Sequence, residues 1–252
     1  MRRKDTRPRH QQIAASLRAA IMSGELEPGE RLPTTQQLVE RYEVTGQTVQ
    51  RTLQVLKEEG FVIGRPGVGV FVRDETPLVV QVASYLSPSL RGGAHPWISR
   101  ADERGQRGTA KLLDVTRVKP PRQVAEALGT ASDEDVALRH QLLSLDGDPV
   151  ELVWNYYPLS IADGTPLEHR ARIRGGSPAL LTGLGYPPRE HVDRVSVRLA
   201  TPEEFRALEL PDDVPVMRTL RTVYSDEAKP VEVSVLVKGG HRYELAYQST
   251  IP

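Results

Sequence analysis

Gln47, Gln50 and Gln54 recur three and four residues apart, with Arg51 among them, on a stretch whose other side is apolar. That spacing puts all four on one face of a helix. A glutamine amide carries a donor beside an acceptor, which matches the N6 donor and N7 acceptor that adenine presents in the DNA major groove. Thr45 and Thr48 add hydroxyls at the start of the same stretch. In FVIGRPGVGVFV, residues 61 to 72, the turn Arg65-Pro66-Gly67 separates two short β-branched runs. Gly67 and Gly69 would let backbone approach a phosphate or a minor groove closely, and Arg65 brings the charge such a groove attracts. Glutamine is equally a good former of solvated helix, so the polar face alone leaves both uses open.

The elements that would position these groups follow from the apolar periodicity. Ile13, Leu17, Ala20 and Ile21 predict a helix over residues 10 to 23, stopped by Gly24. After the turn signal Pro28-Gly29, Thr34 is placed to cap a second helix whose apolar side is Leu38, Val39 and Tyr42. Thr45 caps a third, packed through Val49, Leu53 and Leu56 and ended by Gly60. Three helices and a hairpin follow the plan of a winged helix-turn-helix, whose second paired helix lies in the major groove.

The whole chain of 252 residues balances 33 Lys+Arg against 33 Asp+Glu, which argues against coating a polyanion by bulk charge. The balance is a cancellation: residues 1 to 72 hold 11 basic and 8 acidic side chains, so the first part is net +3 and the remainder net −3. Arg2, Arg3, Lys4, Arg7 and Arg9 precede the first helix, as a phosphate-tracking arm or as a solvated tail. With no cysteine, disulfides, thiolate metal sites, cysteine nucleophiles and a thiol redox switch are excluded. The six histidines show no metal spacing, and no nucleophile elbow, phosphate loop or dinucleotide fingerprint occurs. GRPGVG, residues 64 to 69, lacks the helix and Lys-Ser/Thr of a phosphate loop. The expectation is a non-enzyme without metal or cofactor. No apolar run nears the roughly 20 residues of a membrane span and no leader pattern opens the chain, which predicts a cytoplasmic bacterial protein with no membrane partner.

The run from His10 to Val72 resembles, along its full length, the DNA-binding domain of GntR-type bacterial repressors, through the joint spacing of Ile13, Leu17, Gly24, Pro28-Gly29, Leu32-Pro33, Leu38, Thr48-Val49, Leu53, Leu56, Gly60 and Gly67. Where that family usually has Ser-Glu-Arg after Leu-Pro, this chain has Thr34-Thr35-Gln36. Where the family carries arginines in the recognition turn and helix, it has Thr45-Gly46 and Gln50, with Arg51 one place later. The resemblance implies DNA contacts from Thr34, Gln36, Thr45, Gln47, Thr48, Gln50, Arg51, Arg65 and Gly67, on double-stranded DNA with a pseudo-palindromic operator. The sequence read should differ from one met through arginine pairs to guanine.

Residues 73 to 77, charged and ending in proline, are the predicted hinge between a DNA-binding domain at 1–72 and a second domain at 78–252. Beyond the hinge the pattern is α+β. Strand-like runs lie at 78 to 83, 111 to 118, 136 to 145, 150 to 157, 191 to 200, 214 to 224 and 230 to 237, with short helices near 123 to 128 and 202 to 208, and 87 to 108 reads as a long loop. Residues 114 to 167 and 201 to 247 are similar to the effector-binding UTRA domain of the HutC-like branch of the same repressors. That similarity implies a chorismate-lyase-like α+β fold with a six-stranded sheet, a small-molecule effector, and pairing of sensor domains into a homodimer. It also puts Thr109, Arg139, Gln141, Tyr156, Glu232 and Lys238 at the effector, while Leu143 and Val153 stand where sugar-phosphate-binding relatives carry charge. The expected activity is that of a dimeric repressor released from its operator by an effector. The alternative is a plasmid-transfer-type repressor or architectural DNA binder with a vestigial sensor.

Overall fold

The computed structural model describes residues 5–74, 78–81 and 96–246. Two compact units divide the chain, Met1–Pro77 and Leu78–Pro252.

In the first unit, α1 (Arg9–Met22) buries Ile13, Ala14 and Leu17. α2 (Thr35–Tyr42) is opened by a capping box: the Thr34 hydroxyl accepts from the Gln37 N–H at 3.3 Å, and the Gln37 side chain accepts from the Thr34 N–H at 2.8 Å. The tight turn that follows is closed by Glu43 in the left-handed region, φ 51°. Thr45 then caps α3 (Gly46–Glu58), which buries Val49, Thr52, Leu53 and Leu56. β1 (Val62–Arg65) and β2 (Gly69–Val72) pair antiparallel with Arg65 opposite Gly69, leaving Pro66, Gly67 and Val68 as a three-residue tip. The segment before α2 joins this hairpin through an Arg31–Phe71 bridge and the Leu32 N–H donating to the Val70 carbonyl at 2.8 Å. One apolar cluster, from Ile13 and Leu17 through Leu38 and Leu53 to Phe61 and Val72, holds helices and hairpin together. At its edge Arg18 is paired with the buried Glu59, Nε to Oε2 at 2.8 Å.

In the second unit, β3 (Leu78–Gln81) is followed by α4 (Pro96–Glu103), β4 (Gly108–Val118), α5 (Arg122–Leu128), β5 (Val136–Leu145), β6 (Asp148–Pro158), α6 (Leu159–Ala162), α7 (Gly176–Gly183), β7 (Glu190–Leu199), α8 (Pro202–Ala207), β8 (Pro215–Tyr224), β9 (Pro230–Gly239) and β10 (Tyr243–Ala246). Six strands form one antiparallel sheet in the order β4-β5-β6-β9-β8-β7, and β10 pairs in parallel with β3 in a separate ribbon. Because side chains alternate along a strand, the sheet has two distinct faces. One packs Tyr156, Leu220 and Val233 against α5, and Leu152, Val216 and Val237 against the Leu208–Leu210 segment. The other meets α4 and β10 through Leu143, Val153, Leu236 and Tyr243, and α6 and α7 through Tyr157, Ile161 and Leu181.

The expected loop over 87 to 108 is corrected in its second part: residues 96 to 103 are helical, with Trp97 and Ala101 one turn apart and both packed on the sheet. The surrounding Gly, Arg and Pro hid a two-residue apolar stripe. α6, α7 and β10 also fall outside the predicted elements: α6 and β10 are four residues long, and α7 carries no charged residue to set off an apolar face. Part of the predicted hinge, residues 75 to 77, lies outside the described residues, as do Arg2, Arg3 and Lys4.

Candidate nucleic-acid interface and ligand pocket

The first unit gathers its predicted residues on α2, α3 and the wing. Gln47, Gln50 and Arg51 project from the exposed side of α3, with Thr48 half-buried at its first turn. Gln50 Nε2 lies 3.4 Å from Thr35 Oγ1, so the amide is held toward the start of α2. Thr34 and Thr45 are helix caps: the Thr45 hydroxyl accepts from the Thr48 N–H and sits 3.0 Å from the Thr48 hydroxyl. Gln36 Nε2 donates to Glu40 at 3.2 Å, and Gln54 Nε2 to Glu58 at 2.7 Å, which ties both amides to their own helices. At the wing, the Arg65 guanidinium stacks 4.4 Å from the Phe71 ring centroid and Gly67 takes φ 71° at the exposed tip.

Between wing and helices runs a groove lined by Arg31, Thr34, Thr35, Lys57, Arg65 and Gly67 among others. Two of its cations, Arg31 and Lys57, were missed in the sequence. A Cβ at Gly69 would stand 2.7 Å from Arg31 Nε, and one at Gly64 would stand 3.2 Å from Lys57 Nζ. Both basic side chains therefore lie across wing backbone that glycine keeps bare. Three exposed cations around one groove make a positively charged edge in the unit that carries the polar face of α3.

In the second unit a small cavity of about 70 Å³ sits on the sheet face that meets α4 and α7. Its floor is Ala110 and Leu112 from β4, Arg139, Gln141 and Leu143 from β5, Val153, Asn155 and Tyr157 from β6, and Glu232 from β9. Trp97 closes one side, and Arg172, Ser177 and Pro178 the other. Of the six expected effector residues, this brings together Arg139, Gln141 and Glu232. Tyr156 faces the α5 side of the sheet, and Thr109 is exposed on β4. Lys238 shares the pocket face but is turned to Glu151, 3.4 Å away, and lies 5.0 Å from the Tyr243 ring.

Arg139 is buried, and burial lowers its pKa. Its terminal nitrogens donate to the carbonyls of Leu167 at 2.9 Å, His169 at 2.8 Å and Ala171 at 2.7 Å, pinning the loop after β6. Its Nε has no hydrogen-bond partner among the described residues. Glu232 is buried too, with Ser234 Oγ 2.8 Å from its Oε1. The Tyr157 hydroxyl lies beside Ser177 and Glu232 without a hydrogen bond of ordinary geometry, and its pKa is pushed well up by burial and then by the Glu232 charge. Tyr157 and Asn155 were missed by the sequence reasoning, although their two-residue spacing from Val153 was the available signal. No cluster of three metal-ligating side chains occurs among the described residues, and no helix among them is long and apolar enough to cross a membrane.

Family models agree with this geometry. That of the bacterial regulatory proteins, gntR family, matches residues 9–72, and that of the UTRA domain matches residues 103–244. The chain is 32% identical to the Escherichia coli regulator PhnF, over 90% of this chain and 89% of that one. It is 29% identical to the HTH-type regulator SCO4628 of Streptomyces coelicolor, over 97% and 94%. Among solved structures, a GntR-family transcriptional regulator superposes with a TM-score of 0.61 at 24% identity, covering 98% of this chain and 99% of that one. PhnF from Mycobacterium smegmatis does so with 0.59 at 20%, covering 94% and 100%; at these identities the likeness is one of fold.

Proposed function

Since the chain belongs to the GntR family, in the branch whose helix-turn-helix unit is joined to a UTRA effector-binding domain, we propose that this transcriptional regulator works in the cytoplasm as a homodimeric repressor, released from a pseudo-palindromic operator when a small molecule fills its second unit. The DNA half of the proposal rests on the exposed face of Gln47, Gln50 and Arg51 standing beside the groove of Arg31, Lys57 and Arg65. Glutamines read the bases, and the cations and the capped helix ends fix the protein on the phosphates.

Release is a population shift, so the ligand must prefer the arrangement that does not fit the operator. The second unit offers a route for that preference. Leu143 and Val153 line the pocket and also pack in the cluster that holds Tyr243 and Leu245 of β10. β10 in turn is hydrogen-bonded to β3, the first strand after the predicted hinge. Filling the cavity displaces the wall on which this ribbon rests. Buried polar groups are normally matched, so the Arg139 Nε on the pocket floor, without a hydrogen-bond partner among the described residues, favours a working sensor over a vestigial one.

For the dimer, we place the contact at β7. It is one of the two outer strands of the sheet and exposes Val195, Val197 and Leu199, the last two about 70% accessible. Long apolar edge strands are a ready template for pairing with another chain. Sedimentation of Val197→Glu/Leu199→Glu tests this; a variant that remains as dimeric as the parent would move the interface elsewhere. Footprinting on the DNA upstream of the protein's own coding sequence, repeated with candidate metabolites, tests the whole. A protected inverted repeat that a metabolite clears is the expected result. Protection insensitive to every ligand that binds the second unit would refute release.

A further inference from the structure

We propose that Thr35 is a positioning residue for base reading: it holds the Gln50 amide in one orientation, and that orientation selects adenine. The inference rests on α3 being the helix that enters the major groove, and it names the base that one of its side chains takes. A glutamine amide by itself is ambiguous. Turned one way it offers a donor and an acceptor to adenine, and turned about its last torsion it offers its N–H groups to the two acceptors of guanine, N7 and O6.

The fold removes that freedom. Gln50 Nε2 lies 3.4 Å from Thr35 Oγ1, across the turn between α2 and α3. One amide hydrogen is committed to the hydroxyl, while the second hydrogen and Oε1 have no partner among the described residues. Gln50 is left with one donor beside one acceptor. Adenine answers both, through N7 and N6. Guanine would set O6 against Oε1, acceptor against acceptor, and cytosine and thymine each answer one of the two, through N4 or O4.

Thr35 is free to serve this purpose. It is the first residue of α2, and the capping of that helix is done by Thr34 and Gln37, so the Thr35 hydroxyl is not needed for the cap. Its side chain is half-buried, on backbone that the capping box fixes, whereas Gln50 is exposed. Thr35 also lines the groove of Arg31, Lys57 and Arg65. A phosphate drawn to those cations can take the Thr35 hydroxyl proton, which makes Oγ1 a stronger acceptor for the amide. Gln36 and Gln54 are held differently, by Glu40 and Glu58 of their own helices at 3.2 and 2.7 Å. Positions 35 and 50 are also two of those at which the chain departs from the usual family pattern, glutamate at the first and arginine at the second. Their contact makes the two departures one change: an acid facing a guanidinium, which has donors only and matches guanine, has become a hydroxyl facing an amide.

The test starts with the full chain selecting from a pool of random-sequence duplexes, followed by fluorescence anisotropy on the selected site and its single-base variants. Gln50→Ala identifies the base pair that Gln50 reads, as the position at which preference relaxes. The parent is expected to prefer adenine to guanine there by about 5- to 150-fold, the worth of one bidentate contact. Thr35→Val keeps the shape and removes the hydroxyl. It should lower that preference about fivefold at this position alone, and Thr35→Ser should restore it. In a Gln50→Ala background Thr35→Val should change nothing further there. Thr35→Glu combined with Gln50→Arg should move the choice to guanine. Thermal melts of each variant confirm that it folds. A parental preference for another base at this position, or an adenine preference that Thr35→Val leaves intact, overturns the proposal. Gln47→Ala and Arg51→Ala are run alongside. If these relax positions and Gln50→Ala relaxes none, the proposal fails and α3 stands as the reading helix; if none of the three does, base reading by α3 fails with it.

Discussion

Arg139→Met separates two roles that the sequence alone merges. A ligand-contacting arginine would leave stability unchanged when removed and abolish the response to ligand. The geometry instead makes Arg139 the pin of the loop from Pro166 to Ala171, through charge-assisted bonds of 2.7 to 2.9 Å to three carbonyls. Methionine keeps the apolar stem and removes the fork. Each bond from a charged donor is worth about 1.5–3 kcal/mol, and relief of the buried charge returns part of the sum, so the net loss is about 3 kcal/mol. For a unit of this size that is a fall in Tm of roughly 6–12 °C. Both tryptophans, Trp97 and Trp154, lie in the second unit, so a fluorescence melt reports on that unit and the first cannot blur the transition. Arg139→Lys should recover little, because one ammonium cannot reach three carbonyls held in a planar fork. A Tm within about 2 °C of the parent, with ligand response gone, would refute the pin and return Arg139 to the ligand.

Other consequences are equally direct. Gln50→Ala should weaken operator binding by about 1–3 kcal/mol and relax preference at one base pair, read by fluorescence anisotropy on a set of single-base operator variants; unchanged affinity and preference would remove Gln50 from the readers. Arg31→Ala, Lys57→Ala and Arg65→Ala should each weaken binding to all sequences alike and lower the salt slope by about 1 for every phosphate the variant can no longer reach, and a slope that does not move in any of them would sink the groove as a phosphate edge. His140 is half-buried and stacked on Trp154 at 4.5 Å, and burial holds its pKa below the ordinary value, with Glu203 and Asp114 opposing that shift. The unfolded chain therefore takes up a proton that the folded one refuses, so stability is full above about pH 6.5 and falls as the pH drops from there toward the folded pKa. Urea melts from pH 7.5 to 5 should show a flatter profile for His140→Phe, and parallel profiles would exclude His140 as a contributor.

What could be read in advance divides by the distance over which its cause acts. Thr34, Thr45, Gly60 and Gly67 set caps, stops and the wing tip through neighbours three or four residues away, and the first unit was legible to within a residue or two. The bridge by which Arg31 joins the wing depends on Phe71, forty residues on, and with it went the basic groove. In the second unit the strands of the six-stranded sheet were legible from their β-branched runs, but the faces were not. Register shifts at Leu112/Asp114 and Leu143/Ser144 change which residues share a side, and the residue that the resemblance put at the effector, Tyr156, is the neighbour of the one that lines the pocket, Tyr157. Arg139 shows the deeper limit. Its position on the pocket face follows from alternation, yet its chemistry is set by carbonyls of a loop some thirty residues later that carries no sequence signature at all. Side-chain type therefore indicates which groups a site can contain, whereas whether a given group remains available for a ligand depends on the hydrogen bonds that the rest of the fold has already claimed from it.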